Sequence, residues 1–120
     1  MKEQAVYLLT MYDCIQRIEE YTAGLQLAAF LEDQKTQDAV IRNIEVIGQA
    51  AKDFGIEDLA QDRPDVPWKQ VAGMRNIIAH EYLGIDMMIT WQVVDEHLPV
   101  LETAIADVAK RIGVNIPVSS

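Results

Sequence analysis

Cysteine is almost missing from this chain of 120 residues: Cys14 stands alone and can close no internal disulfide. A disulfide-stapled extracellular scaffold is excluded, and a reducing, cytoplasmic compartment is expected. Proline and glycine are scarce too, at four and six residues, and no fixed-period repeat is visible. Fibrous and repeat architectures are therefore excluded. Long hydrophobic runs are absent: the longest uncharged stretch, residues 21–31, is too short to span a bilayer, and no membrane partner is expected. Lys2 is followed at once by Glu3, and the next apolar run stops at Asp13 without a small-residue cleavage site, so no secretory signal is read. Half the residues are apolar and 24% are charged, the balance of a globular domain.

Basic charge is also in short supply. Ten Lys and Arg face nineteen Asp and Glu, a formal net charge of −9. The broad basic footprint of a general nucleic-acid binder is missing. The deficit is uneven along the chain. Residues 1–33 carry two basic and six acidic side chains, residues 77–120 the same, and residues 34–76 six and seven. Any contact with phosphate is expected in that middle stretch, at a few local cations.

What is present is helical periodicity. Leu8, Tyr12, Ile15 and Ile18 recur at three- and four-residue steps, an amphipathic helix ending near Gly24. Residues 25–31 are apolar almost all round and read as a short buried helix. Thr36 is the expected N-cap of a third helix, whose stripe Val40, Ile44, Ile47, Ala51 and Phe54 runs to Gly55. Residues 55–67, with two prolines and several acids, read as a loop holding about one helical turn. Pro67 suits the first turn of a helix expected from Trp68 to about Tyr82. Asp86 is placed to cap the last helix, with its stripe of Met87, Trp91, Val94, Leu98, Leu101, Ile105, Val108 and Ile112. Pro99 interrupts that helix and predicts a kink, or else a break into two. No stretch alternates with period two. These elements can share a core only as an all-α, up-and-down bundle of four to five helices. Residues 1–113 read as one domain and 114–120 as a fraying tail.

Few residues can carry chemistry. With two histidines, no HExxH and a lone cysteine on the apolar side of its helix, no metal site is expected, and Cys14 reads as a core thiol. There is no Gly-rich phosphate loop and no GxSxG. His97, beside Leu98 and Pro99, reads as a boundary residue at a bend. His80 has better company, in the run Met74-Arg75-Asn76-Ile77-Ile78-Ala79-His80-Glu81-Tyr82. On a continuous helix Asn76 and His80 share a face, and the long Arg75 side chain reaches it from the side. An imidazole titrates near neutral pH and can move a proton, while a guanidinium can hold a phosphate and its developing charge. Together they are the minimum for cleaving RNA through its own 2′-hydroxyl without a metal. The plainer alternative has Arg75 paired with a carboxylate and His80 resting on a helix C-terminus.

The motif Arg75-Asn76-x-x-x-His80-x-Tyr82 resembles the signature of HepT-like proteins, a branch of the HEPN superfamily, and the likeness covers nearly the whole chain. Residues 38–52 resemble the family's long central helix. Pro67-Trp68 and Ala72-Gly73-Met74 resemble its approach to the active site, and Leu98-Pro99-x-Leu101 its last helix. Gln49 departs from the acid that often follows Ile-Gly in the family, and is expected to alter a hydrogen bond near the core. The resemblance implies a HEPN-like homodimer in which the motifs of two chains face each other. It implies the toxin of a bacterial type VII-like toxin–antitoxin pair, acting as a metal-independent endoribonuclease, with tRNA as the target by analogy. Arg75 and His80 would be catalytic, Asn76 an auxiliary polar group, and Tyr82 the hydroxyl that a nucleotidyltransferase-like antitoxin adenylylates. ATP would serve that partner alone, and the chain itself would need no cofactor. The acidic composition supports a different class: a non-catalytic helical module that partners a nucleotidyltransferase.

Overall fold

The computed structural model describes residues 2–80 and 84–116. Its elements run α1 (Lys2–Thr22), α2 (Leu27–Leu31), α3 (Gln34–Phe54), α4 (Ile56–Asp62), α5 (Trp68–Ala72), α6 (Met74–Ile78), β1 (Ala79–His80), β2 (Gly84–Ile85), α7 (Met87–Gln92), a π-helical turn (Val93–His97) and α8 (Leu98–Ile112). The protein is an all-α bundle. Among the described residues, extended pairing is confined to one short antiparallel contact, Ala79 opposite Ile85 and His80 opposite Gly84.

The long helices meet along the stripes visible in the sequence. Leu8, Ile15 and Ile18 of α1 and Val40, Ile44 and Ile47 of α3 are fully buried, as are Ile105 and Val108 of α8. Each such side chain contributes about 1.5–3 kcal/mol on leaving water. The helices α1 and α3 run antiparallel: Gln4 near the start of α1 donates to the Phe54 carbonyl (3.5 Å) and to the Asp58 carboxylate. Arg111 on α8 bonds Asp58 and Asp62 of α4, and Arg63, just past α4, bonds Asp65 and Asp107. The Cys14 thiol is buried in the core, and burial pushes its pKa up.

Local chemistry relocates several boundaries. Asp33, not Thr36, is the N-cap of α3: its carboxylate accepts from the Thr36 N–H (3.0 Å) and hydroxyl (2.6 Å). Those two bonds hold the Asp33 carboxyl below its ordinary pKa. In α2 only Phe30 is buried, so the helix is not the buried segment that its composition suggested. Phe30 packs on Trp91 of α7, ring centroids 5.1 Å apart, and its carbonyl accepts from the buried Gln37 amide at 2.8 Å. The segment after Gly55 forms the seven-residue helix α4 rather than a single turn. Asp86 caps α7 as expected, accepting from the N–H groups of Met88 (2.9 Å) and Ile89 (3.1 Å).

Two larger corrections concern helix continuity. The helix expected from Trp68 to Tyr82 is broken at Gly73 and ends at Ile78. The break has a packing cause: a β-carbon on Gly48 of α3 would lie 3.0 Å from the Ala72 carbonyl oxygen and 3.1 Å from that of Val71. The end of α5 thus leans directly on bare α3 backbone. The stop at Ile78 has a hydrogen-bonding cause, since its carbonyl accepts from the Asp86 N–H at 2.6 Å as the chain returns. Near Pro99 the chain stays helical. The π-helical turn absorbs the missing donor: the Leu98 N–H reaches the Val93 carbonyl, and Pro99 falls in the first turn of α8, where it is tolerated. Beyond Gly113, Val114 and Ile116 pack half-buried against the core.

Candidate active site

The polar side of α3 builds one wall of an open depression of about 400 Å³. Arg42, Glu45, Val46 and Gln49 line it, at offsets of three, four and seven residues that put them on one helical face. The buried stripe Val40–Ile44–Ile47 anchors the opposite side of the same helix. The other wall is the α5–α6 junction: Ala72, Gly73, Arg75 and Asn76. Gly48 allows that junction to sit close against α3, and so fixes the width of the depression.

Arg75 and Asn76 are both exposed at its lip. The Arg75 Nε donates to Glu45 Oε1 at 3.0 Å, with the arginine side chain 60% and the glutamate 37% exposed. The carboxylate pairing foreseen as the plainer alternative is therefore real. An ion pair this open to water contributes only about 0–1 kcal/mol, so a dianionic or bidentate ligand can displace it at little cost. Among the described residues, one of the five guanidinium N–H donors is used, in that contact, and the terminal nitrogens make no further bond there.

His80 belongs to the short β pairing, not to the helix that carries Arg75 and Asn76. The expectation that Asn76 and His80 share one helical face fails at Ile78, where the helix ends. The backbone of His80 is set opposite Gly84, while its side chain and Tyr82 lie outside the described residues. His97 is exposed at the end of the π-helical turn and borders a separate, mostly apolar groove with Val71, Met74 and Leu101. Among the described residues no three His, Cys, Asp or Glu come together as a metal-binding group, and no helix is long and apolar enough to cross a membrane.

Sequence reasoning missed Arg42 and Glu45 as part of this site, and misplaced Gln49. The Gln49 amide lies on the surface, donates to Asp53 Oδ1 at 3.1 Å, and borders the depression instead of the core. The signal was available, because 42, 45 and 49 fall on one face of α3, away from its apolar stripe. What could not be read from α3 alone is that α5 and α6 would pack beside that face.

Known proteins were compared with this framework. The profile of the ribonuclease HepT-like family matches residues 11–108. A probable ribonuclease HepT of Thermococcus cleftensis is 40% identical over 96 residues, covering 80% of this chain and 86% of the relative. A Methanocaldococcus jannaschii protein named as an RNase candidate is 38% identical over 98 residues, covering 82% and 80%. A second protein of that organism, named as a gamma-glutamylcyclotransferase and RNase candidate, is 36% identical over 114 residues; this chain spans about half its length, 51%. No solved structure matches. The family match begins in α1 and ends in α8, and so takes in both walls of the Arg75 depression as well as the helices that set their spacing: the chain belongs to the ribonuclease HepT-like family.

Proposed function

We propose that this chain is an endoribonuclease that cuts RNA at the Arg75 depression without a metal, and that it is the toxin of a type VII-like toxin–antitoxin pair. The observation that carries this reading is Arg75 itself. Its guanidinium stands exposed at the lip of an open polar depression, held among the described residues by one weak surface ion pair, in a chain of the ribonuclease HepT-like family.

In this mechanism Arg75 holds the scissile phosphate and offsets its growing negative charge. His80 takes the proton of the RNA 2′-hydroxyl, whose oxygen bonds to phosphorus as the bond to the 5′-oxygen breaks. Protonated imidazole returns a proton to that leaving oxygen, giving a 2′,3′-cyclic phosphate and a free 5′-hydroxyl. Asn76, exposed beside Arg75, supplies an auxiliary donor. Two chains related by a two-fold axis would face their motifs across one groove, each contributing a phosphate holder and a proton carrier. A compact site with few cations reads RNA shape or ends, and a structured RNA such as tRNA fits that demand.

A nucleotidyltransferase-like antitoxin would silence the site by adenylylating Tyr82, two residues from His80, placing charge and bulk at its mouth. Expression without that partner should arrest growth and fragment cellular RNA. His80→Ala and Arg75→Ala, with melting temperatures near wild type, should lose both effects. Tyr82→Phe should stay toxic and gain no adenylyl mass on co-expression. The net charge of −9 favours the second reading, a binding module for the nucleotidyltransferase. Persistent toxicity in folded Arg75→Ala and His80→Ala proteins would overturn the ribonuclease reading and favour that one.

A further inference from the structure

The Arg75 depression does not end at Arg42. Arg42 and Val46 also form the near wall of a second open depression, of about 370 Å³, whose far wall is α1 with Asp13, Arg17 and Tyr21. The two hollows share Arg42 and Val46 and flank them on α3, one against the α5–α6 junction and the other against α1. Arg42 lies one helical turn, about 5 Å, along α3 from Glu45, the partner of Arg75. Arg17 approaches from α1, and both guanidiniums are near enough to the buried Cys14 thiol to counter the effect of its burial.

These two arginines differ from the others in the chain. Among the described residues Arg63, Arg75 and Arg111 are each bonded to carboxylates, while Arg17 and Arg42 form no ion pair. Both are exposed, and among the described residues Asp13 is the one carboxylate lining the second hollow. Tyr21, at the far end, exposes 42% of its surface. In a chain of net charge −9, two cations that form no ion pair among the described residues, beside an exposed ring and with Asp13 as their acidic neighbour, make a local site suited to a polyanion that carries flat bases.

We infer that the second hollow is a subsite for single-stranded RNA flanking the cut, in which Arg42 and Arg17 hold backbone phosphates and Tyr21 stacks on a base. The subsite rests on the ribonuclease reading and extends it: the strand leaves Arg75, crosses the Arg42 sill and continues over α1. Cations along a strand supply affinity without sequence preference, and a ring adds stacking available to any base.

The test uses the full chain and a labelled single-stranded RNA of about 12 nucleotides, within the span of known single-strand sites. Its 2′-hydroxyls are methylated so that it cannot be cut. Fluorescence anisotropy across a salt series reads affinity and salt dependence together. Arg42→Ala and Arg17→Ala should each weaken binding by about tenfold. Each should lower the slope of log Kd against log salt by about 0.7. Arg42→Lys should retain the slope. Tyr21→Ala should weaken binding by about five- to tenfold with the slope unchanged, and Tyr21→Phe should restore it. Wild-type protein that cuts RNA and binds the probe, with both arginine variants unaltered in Kd and slope, overturns the subsite and leaves the ribonuclease reading intact. Wild-type protein that neither cuts RNA nor binds the probe overturns both. Unaltered RNA affinity with lost binding of the nucleotidyltransferase partner assigns the second hollow to protein docking and overturns the subsite.

Discussion

Arginine does two different jobs on two sides of this molecule. Around α4 and α8, Arg63 and Arg111 are each clasped by a pair of aspartates, Asp65 with Asp107 and Asp58 with Asp62. The hydrogen bond that Arg63 donates to Asp65, and the one that Arg111 donates to Asp62, raises the arginine pKa above its ordinary value. On the two sides of α3, among the described residues, Arg75 has one exposed carboxylate, and Arg17 and Arg42 form no ion pair. The guanidinium is the same; the number of carboxylates around it decides whether its charge is already used. Saturated arginines tie elements together, whereas unsaturated ones present charge to a ligand.

The largest effect that can test this contrast is on the chemistry. Arg75→Ala should lower RNA cleavage by about 10²–10³-fold with little change in melting temperature, since the side chain is exposed. Arg111→Ala should do the reverse, leaving cleavage near wild type while lowering the melting temperature. Cleavage assays paired with calorimetry check both, and equal cleavage losses in the two variants would erase the distinction.

Next in size is the wall between the regions. Gly48→Ala drives a methyl into the carbonyls of Val71 and Ala72, and should cost about 1–3 kcal/mol. Because the same junction carries Arg75 and Asn76, cleavage should fall beyond what the unfolded fraction explains. Chemical denaturation and activity measured on the same sample would separate the two losses.

Smaller still is the effect of Glu45→Gln, which keeps the shape and removes the charge opposing Arg75. RNA affinity should rise by a few-fold, up to about fivefold for an exposed pair, with stability unchanged. A fall in affinity would mean that Glu45 positions Arg75 more than it competes for it.

The smallest concerns a pair of acids that meet between α1 and α8. Burial, with a hydrogen bond to Glu102 on α8, raises the Glu19 carboxyl of α1 from 4.5 to about 7. Folded protein therefore holds this proton more tightly than unfolded protein. The stability it contributes is complete below pH 4.5 and is lost as pH rises through about 7. Glu19→Gln should flatten the pH dependence of stability between those limits, a change of less than about 1 kcal/mol because the group is open to solvent. Melting curves at pH 5 and pH 8 are sufficient to check it.

Where burial repeats along one helix, the sequence was easy to read. The stripes of α1, α3 and α8 and the stop at Gly55 follow from 3.6-residue geometry and from a glycine at φ +112°. The cap at Asp86 was legible because it is a local bond between near neighbours. The cap at Asp33 was missed in favour of Thr36, three residues on, because both are good caps and only the turn geometry chooses between them. The α5–α6 break was not legible, since Gly73 within an apolar run looks tolerable until Gly48 of another helix is seen beneath it.

The residue types at the site, Arg75 with Asn76 and His80, were set by the sequence alone, as were the acidic balance and the helical class. The sequence also placed six of the ten cations in the middle of the chain, with Arg17 and Arg111 outside it. Tertiary structure decided which of those cations are free to bind. Arg63 and Arg111 meet aspartates brought from 44 and 49 residues away, and no local pattern announces such meetings. It also decided that Arg42, Glu45 and Gln49 face the Arg75 junction, because a depression needs two walls and each helix supplies only one.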